Sequence, residues 1–378
     1  MPEHAARPDH VILDWFLPLT GDSRTDLSLG AATGIHSTTQ HLTADRPASL
    51  PYLAQIARAA ESLDYEAVLV PTGTWNEEGW TVATALSQHT RDLDYLVALR
   101  PGLISPTVQA QMVAAFQSVS GGRLRLNVVV GGEDAEQRRY GDHADKDARY
   151  RRAAEYLELL GRLWAGEPVT HRGEFFDVVE GHLPRLERVP EIYLGGSSAA
   201  GIEVAARHAD VFLTWGEPPA QAAEKIARVR ERAAELGRSL RYGIRHHVIA
   251  RPTSAEAWAA ADRLAAGLDP ALIASRRAAF AASGSEGQRR QAALVEGSGT
   301  SRADLEIHPG LWAGAGLVRG GAGTALVGSF AEVADLIAEY RAHGFDEFVL
   351  SGYPHLEEAY WFAEGVRPEL TARGLLPS

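Results

Sequence analysis

Eight short apolar runs, nearly all followed by a stretch with helical spacing, constrain this chain more than any other feature. The runs are VILDWFLPL (11–19), AVLVPT (67–72), LDYLVALR (93–100), RLRLNVVVGG (123–132), EIYLGGSS (191–198), VFLTWGEPP (211–219), RYGIRHHVIA (241–250) and DEFVLSGY (346–353). Helical spacing returns at 52–63, 77–89, 107–119 and about 147–164, then up to about 208, up to 236, and at 356–366. Most of the strand runs are apolar throughout, the pattern of strands buried on both faces. Strands that alternate with helices predict an α/β fold, here a (β/α)8 TIM-type barrel. An open doubly wound sheet is the alternative, and it would need a strand order that a sequence does not display.

The reading is a single barrel domain over 1–378, with insertions at about 20–47, 165–190 and 252–328. They fall after strand one, after the helix that follows strand four, and after strand seven. The first and third leave strand ends, so they belong on the active-site face; the second starts on the opposite, stabilising face. The third contains GSEGQRRQ (284–291) and GSGTSRAD (297–304), both loop-like, and part of it is expected to be a mobile lid.

Composition removes several classes of function. The chain has no cysteine, which excludes disulfides and thiolate chemistry. A net charge of −12 argues against broad nucleic-acid binding, and an anionic ligand would need a local cationic pocket. HExxH, GxSxG and GxGxxG are absent, and DHADKD (142–147) lacks the ligand order of a calcium loop, so no metal is expected. No apolar run reaches membrane-spanning length, and the first residues lack a signal-peptide pattern; the expectation is a soluble, cytoplasmic protein.

Four segments carry chemistry. In RYGIRHHVIA, alternation puts Arg245 and His247 on one face and His246 on the other. Arg245 with His247 reads equally as an anion clamp or as a buried arginine paired to a neighbouring carboxylate beside a hydrogen-bonded core histidine; His246 reads as structural. GGSSAA (195–200) places Ser197 and Ser198 at a helix start, where free amides favour phosphate or a serine simply caps the helix. Trp215 in LTWGEPP is either the wall of an aromatic cofactor or a core anchor, and Glu217 reads as solvated. Arg319 sits in the glycine-rich LVRGGAGTALVG (317–328) as a candidate lid cation. Tyr353 and His355 stand near the mouth of strand eight.

These segments together resemble the alkanesulfonate monooxygenases of the bacterial luciferase-like flavin family. The resemblance runs from WFLP (15–18) to SGYPHLEEAY (351–360), through LTWGEPP, GIRHHVI and LWAGAGLVRGGAGTALVG (311–328). It implies a TIM-type barrel that uses reduced FMN (FMNH2), supplied by a separate NAD(P)H-dependent flavin reductase, and O2. It implies a small sulfonate substrate, cleaved to an aldehyde and sulfite, and a homo-oligomer, dimer or tetramer. By matching position, it implies active-site roles for Arg245, His247, Tyr353, Arg319 and Trp215. Asn127, Tyr150, Ser197 and Ser198 fall where the family holds flavin and its phosphate. Two departures border the substrate end: Asn76 stands where the family often has cysteine, and Thr20 stands near the position of a usual histidine. A sulfone, a sulfonated sugar, an alkane or the deazaflavin F420 are the alternatives within the family; a barrel isomerase or lyase on a phosphorylated metabolite, and a non-catalytic flavin binder, are those outside it.

Overall fold

The computed structural model describes residues 8–24, 27 and 45–377. Eight parallel strands close on themselves: β1 (Ile12–Phe16), β2 (Ala67–Val70), β3 (Asp94–Leu99), β4 (Leu124–Val128), β5 (Ile192–Leu194), β6 (Val211–Trp215), β7 (Arg241–Arg251) and β8 (Glu347–Ser351). Each pairs with its neighbour in sequence, and β8 closes the ring between β7 and β1. This is the expected (β/α)8 barrel with insertions.

The barrel helices are α1 (Leu50–Ser62), α2 (Gly79–Leu86), α3 (Pro106–Ser120), α4 (Lys146–Trp164), α5 (Ala199–His208), α6 (Pro219–Glu235), α7 (Phe330–Ala342) and α8 (His355–Trp361). Local chemistry sets their ends. In α3, Ser105 caps the start, Pro106 takes a first-turn position that needs no N–H, and Gly121 stops the helix at φ 73°. Ser329 and Glu332 form a reciprocal capping box at α7. Among the described residues, no helix is long and apolar enough to cross a membrane.

Side chains inside the barrel fall into three layers. The floor is ionic: Asp14 and Glu347 are fully buried, with Arg125 beside them. Arg125 Nε donates to Asp94 at 2.9 Å, and the Tyr193 hydroxyl donates to Glu347 at 3.1 Å. Burial, with Glu347 adding to it, raises Asp14 well above the usual carboxylate range; burial also raises Glu347. One shared proton between Asp14 Oδ2 and Glu347 Oε1 satisfies two oxygens that no other described group reaches. Above lies an apolar layer of Leu69, Leu96, Tyr193, Val211 and Val349. The rim above it carries the polar groups of the site.

The insertions differ from their sequence reading. Most of 20–47 lies outside the described residues. The segment 165–190 forms an antiparallel hairpin, Val169–Arg172 with Asp177–Gly181. The segment 252–328 is largely folded, with helices Ser254–Ala266, Pro270–Ala281 and Glu286–Ala293. GSEGQRRQ is therefore helical rather than a loop: Ser285 caps it by accepting from the Gln288 amide, and Gln288 and Gln291 are buried. GSGTSRAD ends in the short helix Arg302–Leu305. The insertion closes with the strand Ala325–Ser329, which pairs with the second half of β7.

The floor generates a test. Arg125→Met strips the cation from two buried carboxyls and is expected to cost about 3–5 kcal/mol in urea unfolding. Asp14→Asn is expected to cost less. A carboxyl raised in the folded state favours folding below its ordinary pKa and loses that contribution as pH rises through the raised value. Asp14→Asn should therefore also flatten the decline of stability toward alkaline pH.

Candidate active site

A cavity of about 370 Å³ opens at the C-terminal ends of the strands, within the range of small-molecule sites. Asn76, Asn127, Tyr150, Ser197, Trp215, Arg245, Arg319 and Tyr353 line it, together with Thr20 and His355. Residues from both ends of the chain and from the third insertion thus meet on the barrel rim.

Arg245 rises from β7 and is nine-tenths buried. Its guanidinium lies 4.1 Å from the centre of the Phe16 ring, a contact that favours the cation. Its Nε finds no hydrogen-bond partner among the described residues. Burial first, and the charge of Arg319 second, push its pKa down to about 9. Arg319 reaches the same cavity from the glycine-rich strap, its guanidinium 5.2 Å from the centre of the Tyr353 ring. Two like charges at one cavity raise each other's energy.

The strap is fixed from below. Gln288 accepts from the Gly321 amide at 2.9 Å, and Gln291 accepts from Gly323 at 3.0 Å while donating to the Gly216 carbonyl at 2.8 Å. Trp215 lies between the strap and the helix Glu286–Ala293. A Cβ on Gly287 would stand 3.3 Å from its ring, and Gly321 turns over it at φ 85°. Glu217, read as solvated, is instead buried at 1% exposure. Lys225 Nζ lies 2.5 Å and Arg290 Nε 2.9 Å from its carboxylate. Burial pushes its pKa up, but these two cations outweigh that and hold it ionised. The cluster pins the insertion helix to the end of β6.

The β5 corner is built for close approach. The Tyr150 hydroxyl sits so near the turn that a Cβ on Gly196 would come within 2.8 Å of it. Ser197 lines the cavity; Ser198 does not. The Ser198 hydroxyl accepts from the Gly201 amide as the cap of α5. His247 stands on β7 two residues beyond Arg245. It lies behind Tyr353, rings 5.5 Å apart, and off the cavity wall. A carbonyl only accepts, so Nε2 donates to Ala322 at 3.1 Å and Nδ1 accepts from Ser351 Oγ at 2.7 Å. Burial, then Arg245 and Arg319, hold His247 well below the usual imidazole range. It is a neutral prop with both nitrogens engaged. His246, on the other face, bonds Thr324 at 2.9 Å and rests against Tyr340.

Sequence reasoning missed a pair. Asp22, from the loop after β1, accepts from the His355 amide at 2.7 Å and from His355 Nδ1 at 3.0 Å. Tyr52 donates to the same carboxylate. Burial raises Asp22, but His355 and the hydrogen bonds outweigh it and lower its pKa. The carboxylate fixes the proton on Nδ1, so Nε2, which has no partner among the described residues, is the exchangeable position. No local motif signals it, because the partners stand 333 residues apart.

A closed α/β barrel with its cavity at the strand C-termini is the architecture of a TIM-barrel enzyme. A family model described as luciferase-like monooxygenase matches residues 29–347. The chain belongs to that family, a family of flavin-dependent monooxygenases. Among solved structures, a riboflavin lyase superposes with a TM-score of 0.78 at 22% identity, covering 98% of this chain and 93% of that one. The EDTA monooxygenase of Chelativorans sp. BNC1 gives 0.73 at 21% identity, covering 97% and 95%. A long-chain alkane monooxygenase gives 0.74 at 20% identity, covering 97% and 92%. At these identities the likeness establishes a shared fold and leaves the substrate to the site itself.

The Asp22–His355 pair is testable by nitrogen NMR. His355 should carry its proton on Nδ1 in the neutral ring. Asp22→Ala should abolish that preference, and an unchanged tautomer would contradict the pairing.

Proposed function

We propose that this chain is an FMNH2-dependent monooxygenase that cleaves the carbon–sulfur bond of a small alkanesulfonate, served by a separate NAD(P)H-dependent flavin reductase and working as a homo-oligomer. The observation that carries this reading is Arg245 buried beside Arg319 on one cavity wall. A sulfonate is anionic at every physiological pH and matches forked guanidinium cations. An alkane lacks the charge this wall requires.

The residues present fit a flavin. The amides at the start of α5, with Ser197, favour its phosphate. Glycine at 196 leaves the space beside Tyr150 that a Cβ would fill. Tyr150, its phenol kept protonated by burial, remains a neutral donor there. Trp215, Asn127 and Asn76, which line the cavity, would hold its ring. Bound reduced FMN supplies the two electrons that let O2 deliver one atom to substrate and leave the other as water. The balance is alkanesulfonate, O2 and FMNH2 to aldehyde, bisulfite, water and FMN.

The chain's own groups position and move protons. Arg245 and Arg319 clamp the sulfonate oxygens. His355 Nε2 accepts the proton lost from the carbon next to sulfur, with Asp22 stabilising the imidazolium that forms. The Tyr353 hydroxyl donates to the oxygen that gains charge. The strap over Trp215 keeps bulk water from the reacting atoms.

Sulfite release from a panel of sulfonates, with FMN, NADH and a generic flavin reductase, tests the reading; no release from any of them would reject it. Arg245→Ala should lower sulfite release by at least about a hundredfold while FMN still binds. In the wild type, kcat/KM for the sulfonate should fall above about pH 9, where free Arg245 loses its proton. Arg319→Ala should move that limb to higher pH, because it removes a charge that depresses Arg245.

A further inference from the structure

Asp22, the carboxylate behind His355, is fully buried and accepts four hydrogen bonds. Oδ1 takes the Ser23 amide at 2.9 Å and His355 Nδ1 at 3.0 Å. Oδ2 takes the His355 amide at 2.7 Å and the Tyr52 hydroxyl. A carboxylate offers about four acceptor positions, so every one is filled. The other donors are backbone amides or His355 itself. Tyr52, from α1, adds a side chain from a separate element.

Tyr52 is in turn seated from outside. Arg46 Nη1 donates to its oxygen at 3.3 Å and to Glu357 at 2.7 Å, and Nη2 donates to the second oxygen of Glu357. The backbones of Arg46 and Asp22 are bonded in both directions, at 2.8 and 3.1 Å. Burial first, then the charge of Asp22, push the Tyr52 phenol up, so its proton stays available to the carboxylate. His355 lines the cavity, whereas Asp22, Tyr52, Arg46 and Glu357 do not. This network therefore acts on the site through His355 alone.

We infer that Tyr52 is a positioning residue for proton removal: its hydroxyl keeps the Asp22 carboxylate ionised and turned toward His355 Nδ1, which leaves Nε2 as the accepting nitrogen. This rests on the reading of His355 as the base. A donor to a carboxylate favours its charged form. Without the hydroxyl, one buried acceptor is left empty, and Asp22 gains proton affinity. A protonated Asp22 does not stabilise the imidazolium that forms when Nε2 takes the proton from the carbon next to sulfur. The charged and titratable groups around Asp22 are His355, Tyr52, Arg46, Glu357 and Asp45. Tyr353, its ring 5.1 Å away, and neutral His247 are those beside His355.

Tyr52→Phe deletes the hydroxyl and keeps the ring. In carbon NMR of the full chain, its Asp22 carboxyl should protonate about one pH unit higher than in the wild type. In turnover with FMN, the flavin reductase and the fastest sulfonate of the panel above, kcat should fall about tenfold with KM within about twofold. Deuterium on the carbon next to sulfur should slow the variant more than the wild type. Arg46→Met leaves the hydroxyl but unseats it; it should move the titration and the rate in the same directions by less, and it carries the test should Tyr52→Phe not fold. An Asp22 titration that does not move, or a loss of rate without a larger isotope effect, would overturn the positioning role and leave the function standing. No sulfite from the wild type would reject the function and, with it, any part for Tyr52 in the reaction.

Discussion

Arg245 is a guanidinium removed from water, set against the Phe16 ring, with a second guanidinium as the nearest charge acting on it. An isolated buried charge costs several kcal/mol even after relaxation, and the fold tolerates it here because the surroundings hold it in place. The ring face of Phe16 offsets part of the cost. An anion would offset much more. On the proposed reading an anionic ligand completes this site, and specificity for negative charge would follow from it.

The rest of the molecule holds both arginines at the same cavity. β7 is long enough to pair with three strands. Its first half belongs to the barrel and its second half pairs with Ala325–Ser329. That pairing brings the strap, and Arg319 with it, back over the rim. The Glu217–Lys225–Arg290 cluster ties the insertion helix to β6, and Gln288 and Gln291 hold the strap's amides. At the other end, the proton-sharing carboxyls and Arg125 fill the barrel floor. Ionic floor, apolar middle and cationic rim divide one barrel into supporting and binding layers.

The barrel was legible in the sequence because each strand is a short apolar run and most of its helices start at a capping side chain. The segments that meet on the rim were legible too, since strand ends announce where a barrel presents its chemistry. What the sequence hid depends on partners far along the chain. Alternation put His247 on the right face, but only the strap's Ala322 carbonyl, 75 residues away, shows that its Nε2 is already used. Glu217 read as solvated because one of its cations, Arg290, is 73 residues distant. Ser197 and Ser198 look alike on paper; helix geometry gives one to the cap and the other to the cavity. Asp22 and His355 carry no shared motif at all, and the start of the helix Glu286–Ala293 was obscured by the glycines and serine of GSEG.

The most direct measurement is the affinity of the FMN-loaded protein for an alkanesulfonate against the sulfonamide of the same chain length. The two share shape and differ in charge. If paired guanidiniums define the site, the sulfonate binds about a hundredfold more tightly, on the order of 2.7 kcal/mol, and Arg245→Ala erases the difference. Equal affinity of the wild type for both compounds would contradict it.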